Sequence, residues 1–344
     1  MDRPTPESAR LPLLDGMRGI AAIGVMLYHA QGIFGLSTMF NRGYMFVDFF
    51  FLLSGFVLTL SAEPKMAHPG GATRFLRDRV RRLWPMIAIG IAVGFIENAT
   101  LGVPLPTLLF EAVLGLAMIP VPIGPCGIFP LNAPQWSLLM ELLANLEHVM
   151  VFRHLKGRAL VVLTACWGGL FAFEIWHFGR SVFGPGTQDW PLAAPRVLFS
   201  YSVGIIFARN WANRKARLTI PWAPAMAFPV VVIWAVPYIP LDGWICDATV
   251  VLLILPFSFM LISQARPPRV GQTLLTFLGR ISFPLYTLEM PILWWFSRLQ
   301  HQKGVAVAAM MCALVLSYIL SIAMNWPSRR PPTRPRLGAY ATAA

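Results

Sequence analysis

Charged side chains are scarce: they make up 12% of the 344 residues, against about 25% in ordinary soluble domains. That scarcity excludes an ordinary soluble fold. Acidic residues are the rarer sign, 15 against 28 lysines and arginines, for a formal net charge of +13. In a soluble protein such an excess would suggest nucleic acid as a partner. Here the basic residues stand in short clusters between apolar runs, so no nucleic-acid partner is expected. There is no glycine-rich phosphate loop of the GxxxxGK[ST] type. The 4 cysteines, Cys126, Cys166, Cys246 and Cys312, form no CxxC pair and have no metal-ligand spacing, so no metal is expected. No cleavable signal peptide is apparent, because the first apolar run follows a polar stretch and has no small-residue cleavage site. No internal repeat of the kind common in secondary transporters stands out.

Apolar runs near twenty residues recur along the chain, among them Ile20 to Phe40, Met45 to Leu60, Trp84 to Ile96 and Val305 to Met324. A helix of that length crosses roughly 30 Å of hydrocarbon. In lipid every backbone amide needs an internal partner, so these runs predict helices and an all-α, polytopic bundle. Ten crossings are expected, near 17–38, 43–62, 83–102, 135–152, 159–177, 194–208, 219–238, 246–264, 277–297 and 305–325. Orienting them by the basic residues of the short loops leaves only Arg42, Arg180, Arg196, Arg298 and Lys303 outside, five of the 28. Both termini are then cytoplasmic. The prolines at 104, 106 and 120 argue against a full crossing by Val103 to Pro120, which reads as a re-entrant or interfacial segment. Residues 1–326 are expected to form one membrane domain, and 327–344, rich in arginine and proline, a flexible basic cytoplasmic tail.

A charged or titratable group inside such a helix costs about 3 kcal/mol even on lenient insertion scales, so each requires an explanation. Arg18 and His29 stand eleven residues apart on the first crossing, which is three turns plus about 20°, so they share a face about 16 Å apart along the axis. Arg18 lies near the cytoplasmic edge and His29 deeper. Asp48, near the outer end of the second crossing, and Glu141, on the fourth, could approach the depth of His29. An imidazole bonded to a carboxylate through one nitrogen can act as a general base with the other, and the carboxylate stabilises the imidazolium that forms. His29 could instead bond a backbone carbonyl, and Asp48 and Glu141 could equally be interhelical hydrogen-bonding partners. Ahead of the third crossing lie Arg74, Arg77, Arg79, Arg81 and Arg82. Arg79 and Arg82, three apart, face one way on a helix and could hold the phosphates of a nucleotide-bearing donor. The competing account of the cluster is an anchor to anionic lipid on the cytoplasmic side.

Several segments together resemble the acyltransferase-3 family of integral membrane O-acyltransferases. They are Leu14-Asp-Gly-Met-Arg-Gly-Ile-Ala-Ala22 with Tyr28-His-Ala30, Val47-Asp-Phe-Phe-Phe-Leu-Leu-Ser-Gly-Phe56, Arg79-x-x-Arg82-Leu-Trp-Pro85, Gln135-Trp-Ser-Leu-Leu-Met-Glu141, Arg196 to Gly204, and Leu278-Gly-Arg-Ile-Ser-Phe-Pro-Leu-Tyr286. They occur in family order over most of the chain. The resemblance implies a ten-helix domain in the bacterial inner membrane that takes an acyl group, most often acetyl, from acyl-coenzyme A on the cytoplasmic side. The acceptor would be a hydroxyl of an extracytoplasmic glycan. It implies that Arg18 and His29 form the essential pair and that Arg79 and Arg82 serve the donor. One departure stands out: where many members carry histidine after the Leu-Tyr-x-Leu pattern, this chain has Glu289. The catalytic set expected is His29, Asp48 and Glu141, and the donor-binding set Arg18, Arg79 and Arg82. The rival expectation is a proton-coupled transporter or flippase in which His29, Asp48, Glu141 and Glu289 form a relay.

Overall fold

The computed structural model describes residues 12–121, 127–211, 220–266, 268, 270–299 and 302–324. The helices in chain order are α1 (Pro12–Phe34), α2 (Phe46–Ser61), α3 (Glu63–Met66), α4 (Gly71–Thr100), α5 (Leu105–Leu116), α6 (Gln135–Glu147), α7 (Gly157–Phe178), α8 (Ala193–Trp211), α9 (Trp222–Ala235), α10 (Gly243–Thr249), α11 (Leu255–Gln264), α12 (Gln272–Leu299) and α13 (Lys303–Ala323). Apart from one isolated bridge, Pro221 to Arg266, no strand pairing occurs among the described residues. Each of the ten expected crossings coincides with a helix or a continuous helical stretch. The fourth is α6 extended by a π-helical turn, His148–Phe152, and the eighth is α10 and α11 joined through a second one, Val250–Ile254.

One boundary differs. The third crossing is expected from residue 83, but α4 begins at Gly71, so the arginine cluster is itself helical. Arginine is a good helix former, and Pro85 does not break the helix. Arg196, expected at the outer end of the sixth crossing, is buried within the bundle at 1% exposure. The short α5 agrees with a segment that does not span: twelve residues rise about 18 Å, less than the hydrocarbon thickness. It folds back along α4, and the indole nitrogen of Trp84 donates to the Leu116 carbonyl at 3.2 Å. The proposed tail, 327–344, lies outside the described residues.

Among the described residues, six helical stretches are long and apolar enough to cross a membrane. The peripheral α7 and α13 expose Val161, Val162, Leu170 and Phe173, and Val307, Met311, Val315 and Ile319. Such continuous apolar surface suits lipid and not water. The long α1 and α12 are not among the six, because Asp15, Arg18 and His29, and Arg280, Glu289 and Arg298, dilute their hydropathy. These two pack along each other. At Gly16 and Gly19 a Cβ would collide with Leu275 and Leu278, so small residues allow the two helix backbones to approach closely. Two helices that carry charged residues therefore pack backbone to backbone.

Apolar packing falls into two clusters. One joins α2 with α4, α6, α7, α8, α9, α11 and one side of α1; the other joins the opposite side of α1 with α12 and α13, with Ala306, Ala309 and Ala313 on the α13 side. Phe50 of α2 and Phe283 of α12 pack against both, and so mark the seam between them.

Candidate active site

A cavity opens at this seam. It holds about 610 Å³ of space unfilled by protein atoms, part of it continuous with solvent. Five helices line it: α1 supplies Arg18; α2 Val47, Phe50, Phe51 and Ser54; α4 Arg79, Arg82 and Leu83; α6 Ser137, Leu138 and Glu141; α12 Ser282, Phe283 and Tyr286. The three arginines expected to serve a donor thus converge on one space, together with Glu141. Helical spacing explains the sorting of the arginine cluster on α4. Arg74, Arg77 and Arg81 face outward and are exposed, while Arg79 is buried and Arg82 half-buried at the cavity wall. Within the cavity the Arg79 guanidinium pairs through Nη2 with Glu141 Oε1. The same carboxylate oxygen accepts from Ser54 Oγ at 2.9 Å. Arg79 Nε is buried with no partner among the described residues, leaving a donor direction unused.

His29 lies beyond the other end of the cavity. Its Nδ1 stands 2.6 Å from Glu289 Oε1, with the Glu289 side chain fully buried and that of His29 20% exposed. With Glu289 ionised, Nδ1 carries the proton and donates, so Nε2 is the nitrogen with a free lone pair. This is the imidazole and carboxylate arrangement expected from sequence, but the carboxylate is Glu289 rather than Asp48 or Glu141. The packing of α1 along α12 produces it. Gly19 sits at Leu278, and ten residues farther out His29 meets Glu289, eleven residues beyond Leu278.

Asp48 has a different partner. Arg196 of α8 clasps it with two parallel bonds, Nε to Oδ1 at 2.8 Å and Nη2 to Oδ2 at 2.7 Å, both side chains being 1% exposed. Arg196 Nη2 also donates to the Tyr44 carbonyl at 3.1 Å, and Nη1 to that of Phe183 at 3.4 Å. The charges are paired and the guanidinium is well supplied with acceptors, which is the condition for burying an ion pair. Asp48 therefore ties α2 to α8, and Glu141 shares its charge with Arg79; the structure brings neither to His29.

Tyr286 closes the Leu278-to-Tyr286 segment that resembles the family pattern. It lies at the cavity's far end, one turn of α12 before Glu289; its hydroxyl is 2.6 Å from Ser137 Oγ and its ring meets Phe50 edge-on at 5.5 Å between centroids. Neither the Arg196 clasp nor the Glu289 contact could be found from spacing, because each joins residues more than a hundred positions apart.

The family profile described as an acyltransferase domain matches residues 11–326. Among curated proteins, Protein 2 in picA locus of Rhizobium radiobacter is 37% identical over 163 residues, 42% of this chain and 83% of that protein. The putative membrane-bound transacylase BcsY of Komagataeibacter xylinus is 25% identical over 369 residues, 95% of this chain and 86% of BcsY. The O-acetyltransferase OatA of Staphylococcus aureus is 36% identical over 85 residues, which cover 24% of this chain and only 13% of OatA. No solved structure matches the chain. With the profile spanning nearly all of the helical bundle, the chain belongs to the acyltransferase-3 family and is a polytopic membrane O-acyltransferase.

Proposed function

We propose that this enzyme moves an acyl group, acetyl being the leading candidate, from acyl-coenzyme A on the cytoplasmic side to a hydroxyl of a glycan on the other face of a bacterial inner membrane. The observation that carries this reading is a collinear arrangement: an arginine-lined cavity at one end and the His29–Glu289 pair about three helical turns farther along α1. Arg18, Arg79 and Arg82 would hold the donor's phosphates, with planar guanidiniums giving paired bonds. The pantetheine arm would then run along the seam and present its thioester toward His29.

In the transfer step the acceptor oxygen attacks the thioester carbonyl carbon while its proton passes to His29 Nε2. The tetrahedral intermediate collapses, the carbon–sulfur bond breaks, and the coenzyme A sulfur leaves and takes the proton back from the imidazolium. The products are the acyl ester and the free thiol. Glu289 fixes the imidazole's tautomer and stabilises its cationic form, and general-base catalysis by the imidazole contributes typically 10²–10⁴-fold. Asp48 positions α2 through Arg196, and Glu141 is the counter-ion that the donor phosphate must displace from Arg79.

A relay of the transporter type is less well supported, since Asp48 and Glu141 are each neutralised by an arginine and not aligned with His29. The purified protein, reconstituted without any ion gradient, is expected to bind acetyl-coenzyme A and to acylate isolated envelope glycan. His29→Ala should keep donor binding and lose transfer. Substantial transfer by that variant would overturn the catalytic assignment.

A further inference from the structure

We propose that Phe50 is the residue that sets the length of the acyl group the enzyme accepts. The inference rests on the donor-cavity reading above, which it extends to the acyl end of the substrate. The cavity is polar where the arginines and Glu141 lie and apolar toward the other end, where Val47, Phe50, Phe283 and Tyr286 close it. The lining stops at Tyr286, and His29 does not belong to it. Phe50 and Tyr286, both in the lining, meet edge to face at 5.5 Å and 65°; on this reading the two rings are the wall between the cavity and the His29–Glu289 pair.

The interval behind that wall is short. Tyr286 and Glu289 are three residues apart on one helix, about 4.5 Å of axial rise. A thioester delivered to His29 places its acyl group in this interval or against the two rings. A two-carbon acetyl group needs little room beside the two rings, whereas a chain of several methylenes must displace a ring from a close-packed seam, and overpacking of that kind is unfavourable. Of the two rings, Tyr286 is pinned through its hydroxyl to Ser137, while Phe50 is held by packing alone, half-buried between the two apolar clusters. Phe50 is therefore the member whose size can change without breaking a hydrogen bond.

Competition binding tests this without knowledge of the acceptor. Radiolabelled acetyl-coenzyme A bound to the full-length protein in nanodiscs is displaced by unlabelled acetyl-, butyryl- or octanoyl-coenzyme A. The wild type is expected to bind the acetyl form at least tenfold more tightly than the octanoyl form. Phe50→Ala should close that gap about tenfold, Phe50→Leu should close part of it, and Phe50→Trp should extend rejection to butyryl. The leucine variant keeps the apolar volume nearly intact and serves if alanine prevents folding. Equal affinity for all three donors in the wild type, or an unchanged gap in both Phe50→Leu and Phe50→Ala, overturns the assignment while leaving the donor cavity in place. Failure of the wild type to bind any of the three removes the donor reading, and this inference with it.

Discussion

Replacing Glu289 by Gln keeps the size of the side chain and its ability to bond His29, but removes the charge that would stabilise an imidazolium. The expected result is a fall in kcat of about 10²-fold or more with little change in the donor KM, because the donor's phosphates are held elsewhere. Steady-state kinetics with the donor varied reads the split; a variant with wild-type kcat would make the pair structural. Asp48→Asn should behave differently. It leaves the Arg196 cation in the bundle without its anion, and breaking one side of a buried pair costs about 3–5 kcal/mol. Loss should appear as a lower melting temperature and poorer yield in detergent, and a double change of Asp48 and Arg196 to apolar residues should recover part of it. If Asp48→Asn melts like the wild type but does not turn over, Asp48 belongs to the chemistry after all.

At the scale of elements, α4 carries its arginines on two faces. Arg79 and Arg82 at the cavity should govern the donor, whereas exposed Arg74, Arg77 and Arg81 suit anionic headgroups. Arg82→Lys keeps the charge and loses the planar fork, so it should raise the donor KM about tenfold, the cost of one bidentate contact; Arg77→Lys should change it less than twofold. Equal effects of the two substitutions would contradict the sorting by face. Most helices were legible from apolar run length, because lipid forces the backbone to bond within each segment. The partnerships between helices were not. Nothing local marks Glu289 as the companion of His29, since the contact depends on α1 and α12 running side by side through Gly16 and Gly19. A small-residue pattern hints at close packing but names no partner. Asp48 shows the same limit: a buried acid on a helix suggests chemistry, and nothing local reveals the distant Arg196 that clasps it.

For the whole molecule, the distribution of lysine and arginine predicts which ends of the helices meet the cytoplasm. A single cysteine in the loop near Lys156 should be labelled only from the inner side, and one in the segment 178–192 only from the outer side, after the native cysteines are replaced. Labelling in the reverse pattern would invert the orientation and with it the direction of transfer.

The edge-to-face contact of Phe50 with Tyr286 also bears on what the bilayer must withstand. On the proposed reading, a donor cavity open to the cytoplasm leads toward a histidine deeper in the bundle, and such an arrangement risks becoming a conduit for hydrogen ions. The rings of Phe50 and Tyr286 would then form an apolar constriction, and constrictions of that kind exclude water by dewetting. The side chain proposed to limit the acyl group would therefore also insulate, and thinning it would tax the cell's electrochemical gradient. Liposomes holding Phe50→Ala should dissipate an imposed pH difference faster than those holding the wild type, followed with an entrapped pH-sensitive dye; matching rates would show that the barrier resides elsewhere in the bundle.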